Sequence, residues 1–253
     1  MLNLTPDEKK ALKGRGLILN RDGEHFIARV ITVDGTLTSE QMVVIAEAAK
    51  KFGSGSVAMT SRMTVEVQGL TYENLEPFTQ FIESHGLYTG GTGTRVRPVV
   101  PCKGTVCVHG LIDTQALARE IHEVYYKGWY DIKLPHKFKI GIGGCPNNCI
   151  KPGLNDFGIM GHPKGYRVMV GGIWGKRQRM ATMLDGVFSK DEVMSLIEKT
   201  LLLFREQGYA GERLGLMIER IGVDNFVSQL LSDDILTRKQ AILADSGLPK
   251  AKP

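Results

Sequence analysis

No run of apolar residues in the chain approaches the ~18–20 that a membrane-spanning helix needs. Residues 1–15 are mostly polar and charged and lack the apolar stretch of a secretory signal. A cytoplasmic location is therefore expected, with no membrane partner. Long basic tracts are also missing. Lys and Arg outnumber Asp and Glu only by 32 to 27, a net charge of +5, so nucleic acid is not an expected partner. The modest excess reads as a solvated basic surface or as cations placed for an anionic ligand. No low-complexity tract and no short-period repeat interrupts the 253 residues. Their 42% hydrophobic and 23% charged content is ordinary for a folded globular protein. That length suits one large domain, or two small ones around a shared core.

Cysteine is scarce, yet the four present fall into two close pairs, Cys102-Lys-Gly-Thr-Val-Cys107 and Cys145-Pro-Asn-Asn-Cys149. In a reducing compartment such pairs bind metal more often than they form disulfides. A cubane cluster needs four thiolates arriving from several directions, which two separated loops provide. Gly104, Gly143, Gly144 and Pro146 allow turns that aim N–H groups at sulfur and so tune a cluster. A structural zinc site uses the same ligand set, usually with a shorter spacing in at least one pair, and buried free thiols are a third reading. His109, His136 and His162 read as surface or core residues rather than ligands.

Periodicity outlines the elements. Residues 24–33 alternate as a strand, and 37–52 follow as a helix with Thr38 and Gln41 as a capping box and Gly53 at its end. Residues 57–60 and 63–68 read as two strands and 74–84 as a second helix. This order is most of a ferredoxin-like α+β unit. The Gly/Thr-rich stretch 88–93 reads as a boundary. Beyond it, Asp113 caps a helix running to about Tyr126, strands follow at 137–142 and 166–170, and Ser189 with Glu192 opens a helix to about Glu206. Shorter helices are expected at 212–221 and 224–231, and disorder from about Ser246. The expected organisation is an N-terminal segment 1–23, a ferredoxin-like half-domain 24–90, a domain 91–245 carrying both cysteine pairs and a tail 246–253.

Several cations sit near the cysteine loops. Lys137 and Lys139 flank Phe138, and on a strand alternate residues share a face, ~7 Å apart. Like charges so placed repel unless an anion lies between them; at ~4 Å near a surface each anion–cation contact has a Coulomb term of about 4 kcal/mol before desolvation. Arg62 lies between two strands, Arg95 and Arg97 precede the first cysteine pair, and Lys176, Arg177 and Arg179 follow Gly171-Gly172. Singly each is a common solvated side chain; their placement beside the cysteine loops makes an anion site the sharper reading.

At these residues the chain resembles the siroheme-containing sulfite and nitrite reductase family. The matching segments are Leu37-Thr-Ser-Glu-Gln, Thr60-Ser-Arg62, Arg97-Pro-Val-Val, Gly110-Leu-Ile-Asp-Thr, Lys137-Phe-Lys139, Gly143-Gly-Cys-Pro-Asn-Asn-Cys149 and Ile221-Gly-Val-Asp-Asn-Phe226. The resemblance covers roughly nine tenths of the chain and is most specific at the second cysteine pair. It implies an α+β fold: a ferredoxin-like half-domain followed by an α/β cluster-and-siroheme domain. It implies that Cys102, Cys107, Cys145 and Cys149 hold a [4Fe–4S] cluster and that Cys149 also bridges to the siroheme iron. Arg62, Arg97, Lys137 and Lys139 would line the distal pocket, and Lys176, Arg177, Arg179 and Arg95 would meet siroheme carboxylates. The first pair has four intervening residues where the best-known members have five, so the path of that loop differs. No Cys-rich insert follows Gly161, so electrons would come from a separate donor such as ferredoxin.

In full-length members the fold is duplicated, with the substrate-binding cations in one half and the cluster in the other. This chain carries one set of each, which implies a symmetric homodimer with shared sites. The activity implied is reduction of a small anion: sulfite to sulfide, or nitrite to ammonia at the same centre. An iron–sulfur or zinc protein without siroheme, acting as an electron carrier or scaffold, is the reading from another class.

Overall fold

The computed structural model of the chain describes residues 2–252, so the outermost residues of the expected segments 1–23 and 246–253 lie outside the described residues. The chain divides into two compact units, Met1–Gly93 and Thr94–Pro253. Among the described residues no helix is long and apolar enough to cross a membrane.

The first unit runs α1 (Pro6–Gly14), β1 (Leu17–Leu19), β2 (Phe26–Val30), α2 (Ser39–Phe52), β3 (Val57–Met59), β4 (Val65–Leu70) and α3 (Leu75–Glu83). Its antiparallel sheet has the order β1-β2-β4-β3. Alternation in β2 buries Phe26, Ala28 and Val30, which share a core with Val65, Val67 and Leu70 of β4 and with Ile45, Phe52, Phe78 and Ile82 of the helices. The Thr38–Gln41 capping box is formed in both directions, at 3.2 and 3.0 Å, and contributes about 1 kcal/mol to starting α2. Gly53 ends this helix in an extended conformation. A side chain there would strike the Gln68 carbonyl, so the glycine serves a close approach and not a left-handed turn.

α1 and β1 fall within the polar segment 1–23, for which no element was expected. Their signal is present all the same: Thr5 and Glu8 cap each other around Pro6 at the first helical position, and Leu17 is buried.

The second unit is built on a five-stranded sheet of order β5-β6-β7-β8-β9: β5 (Val100–Pro101), β6 (Ile140–Gly143), β7 (Phe157–His162), β8 (Gly165–Val170) and β9 (Thr182–Met183). β5, β6 and β7 are parallel; β7, β8 and β9 are antiparallel. The connection from β5 to β6 carries α4 (Thr114–Ile121), capped by Asp113 as expected. The helix expected to reach Tyr126 instead widens into a π-helical turn, His122–Lys127, a feature concentrated at functional sites. Five helices close the chain: α5 (Lys190–Gln207), α6 (Leu214–Ile221), α7 (Val223–Leu231), α8 (Asp234–Thr237) and α9 (Lys239–Ala244). The Ser189–Glu192 capping box opens α5. Residues 246–252, expected to be disordered, pack on the second unit at Leu248 and Lys250. Ala210 donates its N–H to the Lys250 carbonyl at 2.7 Å, and Leu248 is buried.

Candidate functional site

The cysteine loops leave the carboxyl ends of neighbouring parallel strands, the position where open α/β sheets bind ligands. Cys102 follows β5 and donates its N–H to the Ile142 carbonyl at 2.9 Å. Gly144 follows β6 and donates its N–H to Cys102 Sγ at 3.1 Å, so one sulfur already accepts the kind of main-chain hydrogen bond that tunes a cluster. The loops touch through main chain: a Cβ on Gly144 would lie 2.8 Å from Gly104 Cα. Leu111 donates to the Gly144 carbonyl at 2.9 Å and Gly110 to the Cys107 carbonyl at 2.8 Å, which holds Cys107 to the same assembly. Asn148 and Lys151 take left-handed conformations, φ 58° and 51°, that fold the Cys145–Cys149 loop back. A cavity of about 400 Å³ is lined by Val108, His109, Leu111, Cys145 and Pro146, among others.

All four cysteines are unbridged; three are half-buried and Cys149 is exposed. Among the described residues, no three His, Cys, Asp or Glu groups are gathered so as to hold a metal ion. A mononuclear site needs its ligands to meet at one point, whereas a cubane takes one thiolate at each of four irons. Two touching loops with two cysteines each supply the four thiolates that the second requires.

The cations lie on the strand segments that lead into these loops. Residues 95–97 and 137–139 form a short parallel ladder: Val96 pairs with Phe138, Phe138 donates to the Arg95 carbonyl at 3.0 Å, and Arg97 donates to the Phe138 carbonyl at 2.8 Å. Val96 and Phe138 are buried to 1% and 0% exposure. By alternation Arg95, Arg97, Lys137 and Lys139 all project from the opposite face, and all four are half-buried. One ribbon thus begins in four cations and ends in two cysteine loops. At ~3.3 Å per residue, Arg97 and Cys102 are separated by on the order of 16 Å along it.

Three residues not anticipated as functional support this face. The Asp156 carboxylate, 0% exposed, accepts the Lys139 N–H at 2.9 Å and is clamped by Arg213, whose Nη2 lies 2.9 Å from both of its oxygens. Complete burial pushes the Asp156 carboxyl up, and the Arg213 guanidinium and Lys139 N–H oppose that shift. His136 Nδ1 accepts the Lys137 N–H at 2.7 Å. Burial and then the charges of Lys137, Arg213, Arg97 and Lys139 push its imidazolium down to about 4. It is therefore a neutral imidazole at pH 7, half-buried among cations. The available signals were an acid opening an apolar strand, Asp156 before Phe157, and a titratable ring adjoining Lys137.

The remaining sequence-selected cations are placed differently. Lys176 and Arg177 are exposed. Arg177 and Arg179 both pair with Glu219, and Arg179 also donates to the Gly171 carbonyl at 2.8 Å and to Thr182 Oγ1 at 3.0 Å. This group forms a cationic hairpin tied to α6. Arg62 belongs to the first unit, half-buried in the tight turn joining β3 to β4, where the Met63 N–H meets the Thr60 carbonyl at 3.0 Å.

Comparisons with known proteins bear on both units. Residues 18–85 match the nitrite/sulfite reductase ferredoxin-like half domain, and residues 92–237 match the nitrite and sulphite reductase 4Fe-4S domain. An assimilatory-type sulfite reductase of Nitratidesulfovibrio vulgaris is 30% identical over 212 residues, covering 83% of this chain and 94% of that protein. An uncharacterised protein of Methanocaldococcus jannaschii is 35% identical over 144 residues, 57% of this chain and 50% of that one. The solved structure of the NirA protein of Mycobacterium tuberculosis superposes with a TM-score of 0.78 at 20% identity, over 90% of this chain and 46% of that one. The chain therefore spans about half the length of the last two. The cofactors that accompany this family are a [4Fe–4S] cluster and siroheme. With two touching cysteine loops at the strand ends and four cations on the ribbon leading to them, the chain belongs to the nitrite and sulphite reductase family, as a half-size member.

Proposed function

We propose that the chain is a siroheme- and cluster-dependent reductase that converts sulfite to sulfide. The observation that carries this reading is the single ribbon with four cations on one face and two cysteine loops at its end. The extended match to an assimilatory-type sulfite reductase supports sulfite as the anion. Nitrite reduction at the same centre is the second reading, favoured by the family model, which spans both activities.

Cys102, Cys107, Cys145 and Cys149 would hold the cluster, with Cys149 also facing the siroheme. Lys176, Arg177 and Arg179 are assigned to siroheme carboxylates, and Arg62 to the anion. When bound, the cofactors carry the electrons. The chain's own residues bind the anion, orient it and move protons. Arg97 suits fixed oxyanion contact through its planar fork. Lys137 and Lys139 are point charges on flexible stems with donor protons, which suits proton delivery. The donor is a separate protein such as ferredoxin, and the location cytoplasmic.

The cations and the cysteines occupy opposite ends of the ribbon, on the order of 16 Å apart. An anion held near Cys149 is better met by the cations of a second copy, so the working form is proposed to be a symmetric homodimer with shared sites. Specific activity is then expected to fall as the protein is diluted through its dimer dissociation range, followed by sedimentation. A monomer with full activity at high dilution would remove the shared-site arrangement.

The reading as a whole is tested by the visible spectrum of anaerobically purified protein, with iron and acid-labile sulfide analysis. Siroheme coupled to a cluster gives strong Soret-type and red bands. A broad brown shoulder alone would mark a cluster protein without tetrapyrrole, and a colourless protein containing zinc would overturn the assignment.

A further inference from the structure

Arg95 stands on the cation face beside Arg97, with Lys137 and Lys139 on the neighbouring strand. Its guanidinium carbon lies over the Tyr130 ring, 4.1 Å from the centroid, a cation–π contact. Its Nη1 is buried and has no hydrogen-bond acceptor in the protein. A buried charged donor without an acceptor is costly; surrounded by further cations, the acceptor it calls for is an anion.

Tyr130 is itself backed by a row of rings. Tyr126 meets it edge-on at 6.2 Å, and Tyr126 stacks on His122 at 4.6 Å and 23°. His122 and Tyr126 are buried in the π-helical turn, and the Tyr130 N–H is fixed to the Lys127 carbonyl at 3.0 Å. The rings stand four residues apart, so the row runs from the buried turn to Arg95 on the cation face.

We propose that Tyr130 is a positioning residue: its ring holds Arg95 as a fixed, planar donor to an anionic oxygen group at the cation face. This rests on the reading of that face as an anion site. A flat guanidinium backed by a ring offers one edge in a set orientation, which an ammonium on a flexible stem cannot do. The ligand is a carboxylate or a small oxyanion. The first would come from the tetrapyrrole and the second from the substrate.

The test compares the full chain, loaded with its cofactors, as parent, Tyr130→Phe and Tyr130→Leu. The measurements are melting temperature, tetrapyrrole retained per chain after gel filtration, KM and kcat for sulfite, and calorimetric affinity for inorganic phosphate. Tyr130→Phe keeps the ring and is expected to match the parent. Tyr130→Leu keeps apolar bulk and is expected to lose about tenfold in anion affinity at an unchanged melting temperature. Poorer tetrapyrrole retention at constant KM identifies a carboxylate ligand; a raised KM at full retention identifies the oxyanion. A Leu variant equal to the parent in every anion measurement would overturn the proposal, as would a Phe variant as impaired as Leu. Should the Leu variant not fold, Arg95→Gln decides in the same assays, and parent-like binding there overturns it. A parent with neither tetrapyrrole nor sulfite turnover would sink the reductase reading, yet its phosphate affinity would still report on Arg95.

Discussion

Lys137→Met and Lys139→Met are each expected to retain cluster and siroheme and to lose sulfite turnover by about 10²–10³-fold. This is the range for removing one charge-stabilising donor from a preorganised site, ~3–4 kcal/mol. Methionine keeps the length and apolar stem of lysine and removes only the ammonium. The strand should stay in place, because its anchor is Phe138 on the other face, fully buried and paired with Val96. The loss should fall mainly on kcat, since charge develops and protons are consumed as the bonds to oxygen break. Steady-state kinetics on variants whose spectra match the parent would check this. Turnover equal to the parent in both would remove the lysines from the mechanism.

A second large effect is expected at the cysteines. Cys145→Ser replaces a thiolate ligand with a hydroxyl that does not ionise near neutral pH. It should abolish the visible spectrum and reduce turnover below detection. The two loops are held together by main-chain contacts, with the Gly144 N–H on Cys102 Sγ and the Leu111 N–H on the Gly144 carbonyl. The protein should therefore keep its far-UV circular dichroism while losing iron and acid-labile sulfide. An iron content matching the parent would show that Cys145 is not a ligand.

Much of this architecture was legible because local chemistry announced it. Thr38 with Gln41 and Ser189 with Glu192 marked the N-caps of two helices. The same signal at Thr5 and Glu8 marked α1, although the polar character of the segment masked it. β7 escaped because Gly158 and Gly161 dilute its apolar alternation, and only its pairing with β6 and β8 identifies it as a strand. The extra residue in the 122–127 turn leaves no trace in hydrophobic spacing. On the site, the residue types and the shared face of Lys137 and Lys139 could be read directly, whereas the addition of Arg95 and Arg97 to that face needed the Val96–Phe138 register. The Arg213 clamp on Asp156 joins residues 57 positions apart, a distance at which no local pattern operates. His136 looks like an ordinary loop histidine until its neighbours in space are known.

Gly104 and Gly144 meet so closely that neither tolerates a side chain. Sulfur spacing is consequently inherited from the backbone, and the solvent-facing positions Lys103, Val106 and Asn147 can drift in sequence without retuning the centre, whereas Thr105 is tied to Asp113 and to the Gln115 N–H at the start of α4. Variation accumulated over time should therefore collect at those three places, while the two bare α-carbons stay unadorned.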